Sequence, residues 1–340
     1  MTSAVEQAHA TIDDPSIARD VADVLLERHS FLIAGHLRPD GDCLGSALAL
    51  MVILRQLGKS ARFYTTGPIP PCFCYLPYFG EIETSPPPEP FDAIICVDSS
   101  DFDRVEESFK PTGFVINIDH HLTNAMFGNL NWVDTTVAAT GELIYRLAHA
   151  MNHQITPDIA SCLFTAIMTD TGGFRYSNTT EKTFQVVAHL VRCGAAPGLI
   201  AQYVFDSRKP QSAWLAGNVL TTLKYEFDGR FVWNKITHEQ YAVVGGDIYE
   251  PEGLTSEMRA IDGVEIAVLF HETPDNRCRL GLRSRGLVDV SKLAEKLGGG
   301  GHHNASGAMV KHMDYTAAKN WCLGIIREYL SENLPALPAR

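Results

Sequence analysis

Four clusters of Asp and His punctuate the first half of this chain, and three of them come directly after a short apolar run. They are His36-Leu37-Arg38-Pro39-Asp40-Gly41-Asp42, Val97-Asp98-Ser99-Ser100-Asp101, Asp119-His120-His121 and, closing a helical stretch, Asp170-Thr171-Gly172-Gly173-Phe174. The segments 31–35, 92–97 and 114–118 read as strands covered on both faces, because their apolar residues run on without alternation; 61–65 reads as a further strand. Helical spacing marks 44–57, stopped by Gly58, then 140–151, 157–169 and 181–192. Strands alternating with helices predict an α/β fold with a doubly wound parallel sheet. Ligands of such a sheet bind beyond the carboxyl ends of its strands. Topology alone therefore carries the first three clusters to one edge, and the glycine turn after Asp170 can bring the fourth there.

Asp40, Asp42, Asp98 and Asp170 bring four negative charges, which repel one another if gathered without counter-charge. Two divalent metals neutralise them, and imidazoles complete the coordination. Each cluster has an ordinary reading by itself: Pro-Asp-Gly is a turn sequence, a lone Asp after a strand is commonly a helix cap, paired histidines occur on surfaces, and Asp-Thr-Gly can simply end a helix. The four together, in this order at strand ends, point to a metal centre. In the expected division His36, Asp40 and Asp98 hold one metal, and Asp42, Asp98, His120 and Asp170 hold the other, with Asp98 bridging. That arrangement activates water for in-line attack on phosphorus. Carboxylates and imidazoles without a thiolate favour two Mn²⁺, with Mg²⁺, Co²⁺ or Fe²⁺ as substitutes, over structural zinc. His121, beside a ligand, is placed to touch a phosphate oxygen or protonate a leaving group, so Asp98 and His121 are the expected catalytic residues.

At 340 residues the chain exceeds what one core usually serves. The pattern loosens between Gly194 and Gln211 and then changes. A hairpin is predicted over 225–233 around Asp228-Gly229, an antiparallel pair over 264–272 and 277–285, and helices over 291–297 and 315–329. The expected organisation is a metal-binding domain over 1–193, a linker over 194–211 with one short helix, and a smaller α+β substrate-binding domain over 212–340. In the second domain Gly298-Gly299-Gly300-Gly301-His302-His303 lacks the Lys-Ser/Thr of a P-loop. Either it is a plain flexible loop, or Gly299, Gly300 and Gly301 let backbone N–H groups approach a phosphate, with His302 adding a donor. Arg283 and Arg285, two residues apart on the preceding strand, share a face in this reading and suit bidentate phosphate recognition.

A formal net charge of −12 excludes a long nucleic-acid duplex as the main partner, since gripping many phosphates needs a basic surface. A small anionic substrate and a second copy of the chain remain compatible. Eight cysteines without a C-x-x-C pair read as reduced thiols. The polar N-terminus is not a secretory signal, and no apolar run approaches ~18 residues. A cytoplasmic location without membrane attachment is expected.

The stretches His-x-x-Pro-Asp-Gly-Asp (36–42), Val-Asp-x-x-Asp (97–101), Asp-His-His (119–121), Asp-Thr-Gly-x-Phe (170–174), Leu-Arg-Ser-Arg (282–285) and Gly-Gly-Gly-His (299–302) resemble those of the DHH phosphoesterases with a DHHA1 C-terminal domain. The resemblance covers about residues 20 to 335 and is nearest the nano-RNase A branch. It implies a Mn²⁺-dependent phosphohydrolase whose substrates are oligonucleotides a few residues long and 3′-phosphoadenosine 5′-phosphate, with His302 and Arg283 holding the nucleotide phosphate. The rival readings are an inorganic pyrophosphatase on the same catalytic domain, a cyclic-dinucleotide phosphodiesterase, and a nucleotide sensor without catalysis. A sensor should have lost a metal ligand, whereas all six candidates are present.

Overall fold

The computed structural model describes residues 15–88, 90–105, 113–244 and 253–335. Most of the polar N-terminal stretch, and Glu89 within the proline-rich loop at 85–90, lie outside them. The chain divides into two compact units, Met1–Ser207 and Arg208–Arg340.

The first unit opens with α1 (Pro15–Glu27), β1 (Ser30–Ala34), α2 (Gly41–Gln56) and β2 (Ser60–Tyr64). After an irregular, aromatic-rich segment come β3 (Ala93–Val97), β4 (Phe114–Asp119) and β5 (Leu130–Val133). Four helices follow: α3 (Thr140–Ala150), α4 (Pro157–Asp170), α5 (Glu181–Arg192) and α6 (Pro197–Phe205). The five strands form a parallel sheet in the order β2-β1-β3-β4-β5, as the strand–helix alternation predicts. Strand β5 was not anticipated, because Leu130-Asn131-Trp132-Val133 is too short and too mixed to stand out.

Helix α2 is apolar all round and buried from Gly41 to Leu54, as a helix enclosed within a core must be. It starts three residues earlier than expected from periodicity, because Asp40 caps it by accepting from the backbone N–H of Asp42 and Cys43. Small residues set how close its neighbours come. A Cβ on Gly45 would lie 2.4 Å from the carbonyl oxygen of Cys162, and one on Gly41 would lie 2.4 Å from Thr169 Oγ1. Gly141 of α3 likewise faces the methyl of Ala166 in α4. The N-termini of α2 and α3 are thereby drawn onto the C-terminal turn of α4, where Asp170 sits.

The second unit runs α7 (Pro210–Thr221), β6 (Lys224–Glu226), β7 (Phe231–Ile236), α8 (His238–Val243) and α9 (Leu254–Ala260). It continues β8 (Ile266–Glu272), β9 (Cys278–Ser284), α10 (Val290–Lys296), β10 (Gly300–His302), β11 (Ala305–Val310) and α11 (Tyr315–Asn333). Six strands make a mixed sheet ordered β10-β11-β9-β8-β7-β6, antiparallel except for β7 beside β8. One face packs on α10 and α11. On the opposite face, residues of α7, α8 and α9 join those of β7 and β8 in a core of their own. The hairpin turn lies at Asp228-Gly229, both at positive φ, as the Asp-Gly signal predicts.

The one short helix expected within 194–211 is α6, and α7 begins at the end of that segment; Pro197 and Pro210 open these helices as first-turn residues. Of the two readings of the glycine run, the plain flexible loop does not hold: Gly300 and Gly301 pair with Gly307 and Ser306 in a hairpin. Among the described residues no single helix is long and apolar enough to cross a membrane.

Candidate metal centre

Asp98 occupies the middle of the first unit's polar cluster. It follows β3 directly, is 2 % exposed, and holds φ +55°, a left-handed conformation that Asp tolerates better than most residues. Its Oδ2 lies 3.6 Å from His36 Nε2, which comes from the end of β1, and its Oδ1 lies 3.6 Å from His120 Nε2, which comes from the end of β4. Thr140 Oγ1 donates to Oδ1 at 3.1 Å. One carboxylate thus faces two imidazoles delivered by different strands.

His36 Nε2 is also 3.8 Å from Asp40 Oδ1. His120 Nε2 is 3.6 Å from Asp42 Oδ2 and 3.6 Å from Asp170 Oδ2. The structure therefore gathers all six residues expected as ligands into two overlapping sets that share Asp98. Asp42 is buried and held by α3: the backbone N–H groups of Thr140 and Gly141 donate to its two oxygens at 2.6 and 3.0 Å, and Ser46 Oγ donates at 2.9 Å. A carboxylate in front of a helix N-terminus meets the positive end of its dipole. Nothing in the spacing of the sequence announced that Thr140 and Gly141 serve Asp42.

Whether a divalent cation suits this cluster can be judged from its own distances. Contacts of 3.6 Å are too long for hydrogen bonds, yet they suit pairs of donors bound to a common ion at about 2.0–2.2 Å each. Asp170 Oδ2 is buried with no hydrogen-bond partner among the described residues, and such an acceptor is costly without a counter-charge. Asp42, Asp98 and His120 offer ligand atoms within 4.8 Å of one another, as do His36, Cys43 and Asp98. Cys43 had not been considered as a neighbour of the site. Burial, then Asp98 and Asp40, push its thiol well above the ordinary range.

His121 borders those two sets, its Nδ1 3.7 Å from Asp98 Oδ1. Its Nδ1 is 2.7 Å from Asp119 Oδ1, and Asn124 Nδ2 donates to the other oxygen of Asp119 at 2.6 Å. Asp119, fully buried at the end of β4, thus orients His121. The Asp-His-His sequence contains this residue, but only the fold shows that it serves the second histidine.

The cluster without metal is strongly perturbed. Burial works against a charged His120, but Asp170, Asp42 and Asp98 outweigh it and push its pKa up to about 9. For His36, burial is outweighed by the carboxylates of Asp40 and Asp98, to about 10. Burial raises Asp170, His120 pulls it back, and Asp40 and Asp98 raise it again, to about 6; burial and Asp98 lift Asp42 well above the carboxylate range. A cation must displace these protons, so its apparent affinity rises with pH. We expect at least about tenfold weaker binding at pH 6 than at pH 8 in calorimetric titration of chelator-stripped protein; an affinity flat across this window contradicts it. Stability of the stripped protein follows the signs of the shifts. The raised histidines stabilise its fold at low pH, and that contribution fades as pH rises through about 9 to 10. The raised carboxylates cost stability near neutrality, where the unfolded chain ionises them.

In the second unit, His302 pairs with Ala305, and Ala305 with Arg283, so all three lie in one cross-strand row on one face. Arg285 does not join them. It lies just past β9, is exposed, and its Nη2 donates to the carbonyls of Ile261 (3.1 Å) and Ala260 (3.4 Å) at the end of α9. Of the glycines, two are demanded by packing: a Cβ on Gly299 would fall 2.1 Å from Gly307 O, and Gly301 has φ +139° with Ala305 O 2.7 Å away. Gly300 faces open space.

Residues 30–167 match the model of the DHH family N-terminal domain, and 241–331 match that of the DHHA1 domain. A bifunctional oligoribonuclease and PAP phosphatase of Thermus thermophilus is 36% identical over 88% of this chain and 90% of its own length. A protein of the same description from Bacillus subtilis is 28% identical over 84% of this chain and 90% of its own. Among solved structures, an exopolyphosphatase-related protein of Bacteroides fragilis shares the fold at TM-score 0.81 and 24% identity, covering 94% of this chain and 96% of that one.

Proposed function

The chain belongs to the DHH family of phosphoesterases with a C-terminal DHHA1 domain, and on that premise we propose that it hydrolyses short oligonucleotides and dephosphorylates 3′-phosphoadenosine 5′-phosphate. The protein is a phosphoester hydrolase. The observation that carries the proposal is the position of Asp98 between His36 and His120, 3.6 Å from each. The relatives named above as oligoribonuclease and PAP phosphatase supply the substrate class.

In this reading His36, Asp40 and Asp98 hold one metal, and Asp42, Asp98, His120 and Asp170 hold the other. Mn²⁺ fits this hard donor set best, with Mg²⁺, Co²⁺ or Fe²⁺ as alternatives. When bound, the ions supply a nucleophilic hydroxide and neutralise charge on the phosphoryl oxygens. The chain's own groups do the rest. The Thr140 and Gly141 N–H groups keep Asp42 aimed. Asp119 holds the Nδ1 side of His121, so proton transfer to the leaving oxygen falls to Nε2. In the second unit Arg283 and His302 share the face on which a substrate phosphate is held.

The test offers the purified protein, with Mn²⁺, a 5′-phosphorylated dinucleotide, 3′-phosphoadenosine 5′-phosphate, cyclic di-AMP and pyrophosphate in parallel. Release of mononucleotides from the first and AMP from the second is expected. Turnover of pyrophosphate alone, or of the cyclic substrate alone, overturns the proposal. Arg283→Ala should lower kcat/KM on the dinucleotide about ten- to a hundredfold, the scale of a lost charge-assisted hydrogen bond. A generic chromogenic phosphodiester should keep most of its rate; equal fractional losses remove the phosphate-holding role.

A further inference from the structure

Strand β9 alternates strictly between covered and half-open residues: Cys278, Leu280, Leu282 and Ser284 are buried, while Arg279, Gly281 and Arg283 face the other way. On that other face glycines line up across three strands, since Gly281 pairs with Gly307 and Gly307 with Gly300. A row without side chains leaves a flat strip of backbone, and Gly300 opens onto empty space. A guanidinium stands at each end of this strip along β9, their Cα atoms about 13 Å apart at the usual strand rise. Both are short of partners: Arg279 Nε and Nη2 and Arg283 Nε are buried without a hydrogen-bond partner among the described residues, and Arg283 Nη1 reaches only the carbonyl of its neighbour Leu282. Neither arginine makes an ion pair among the described residues. Buried donors left unsatisfied are uncommon and call for a reason. Two of them flanking a glycine strip on one strand match an acceptor-rich ligand that lies along β9.

We propose that Arg279 is a second phosphate-holding residue, engaging the phosphate next along a nucleotide chain from the one held by Arg283, with the intervening nucleoside lying over Gly281 and Gly307. This rests on the oligonucleotide reading above and deepens it: the second unit is built for chains longer than a dinucleotide. Arg283 and His302 serve every substrate, whereas Arg279 serves those with a further phosphate. The glycine strip accepts any base, because a nucleoside lying over bare backbone meets no side chain that would discriminate.

The experiment compares kcat and KM for 5′-phosphorylated di- and triadenylate in the wild type and in Arg279→Gln. Expected is a loss of roughly ten- to a hundredfold in kcat/KM on the trinucleotide, carried by KM, with the dinucleotide rate within about twofold of wild type. Equal losses on both lengths, or none on either, overturn the proposal while leaving the oligonucleotide reading intact. A wild type that cleaves neither length sinks that reading instead. Should Arg279→Gln fail to fold, Arg279→Lys serves. It keeps the charge but loses the fork that binds phosphate bidentately, so the same selective loss, smaller in size, is expected, and an unselective one overturns the assignment.

Discussion

Asp98→Asn should lower kcat by about a thousandfold or more, with the fold intact. Asp98 is the carboxylate common to both candidate ligand sets, so its loss disturbs both ions at once. Lewis-acid stabilisation is worth several kcal/mol, and each 1.36 kcal/mol is a factor of ten in rate. Asn is a better probe here than Ala, because φ +55° at this position is one that Asn adopts readily and Ala does not. Removing one negative charge from among Asp40, Asp42 and Asp170 also relieves repulsion in the metal-free protein. It also removes the charge that faces the His36 and His120 imidazoles, so the two effects on the metal-free thermal midpoint oppose each other, whereas the rise on adding Mn²⁺ should shrink. Wild-type-like turnover in Mn²⁺, at confirmed metal content, would end the two-metal account.

His121→Ala and His120→Ala should fail in different ways although the residues are adjacent. His120 Nε2 faces three carboxylate oxygens at 3.6 Å, so its loss should lower metal occupancy. His121 is tied through Nδ1 to Asp119, so its loss should spare occupancy and lower kcat by about 10²- to 10⁴-fold, the range of general-acid assistance. Asp119→Asn should imitate His121→Ala in part, about ten- to a hundredfold, since it disturbs only the orientation of the ring. Elemental analysis of each variant beside its kcat separates the two roles. Equal metal loss in both histidine variants would refute the division.

The parallel sheet and its polar edge were legible because they depend on local pattern. Continuous apolar runs such as Ile94-Ile95-Cys96-Val97 can be buried on both faces only in a covered sheet, and a residue that follows such a strand is delivered to the sheet's edge whatever its partners are. The same logic located the Asp-Gly hairpin. What was missed involves contacts between segments far apart in the chain. The hold of Thr140 and Gly141 on Asp42, nearly a hundred residues away, has no trace in local spacing. The glycine run looked like a loop because a strand of glycines carries no pattern.

Composition and spacing thus determined which chemistry the chain could perform: four carboxylates and three histidines at strand and helix ends, with an arginine and a glycine-rich hairpin in a second unit. Tertiary structure alone decided how those groups divide the work. Gly41 and Gly45 bring α2 onto α4, so that Asp42 and Asp170 both reach His120. Asp119 meets His121 at 2.7 Å, Arg285 is spent on the end of α9, and Arg279 is left beside a strip of bare backbone. The reason is one of range. Periodicity reports which face of an element is buried, but a side chain's partner is set by angstrom-scale packing of elements that meet only when the chain folds.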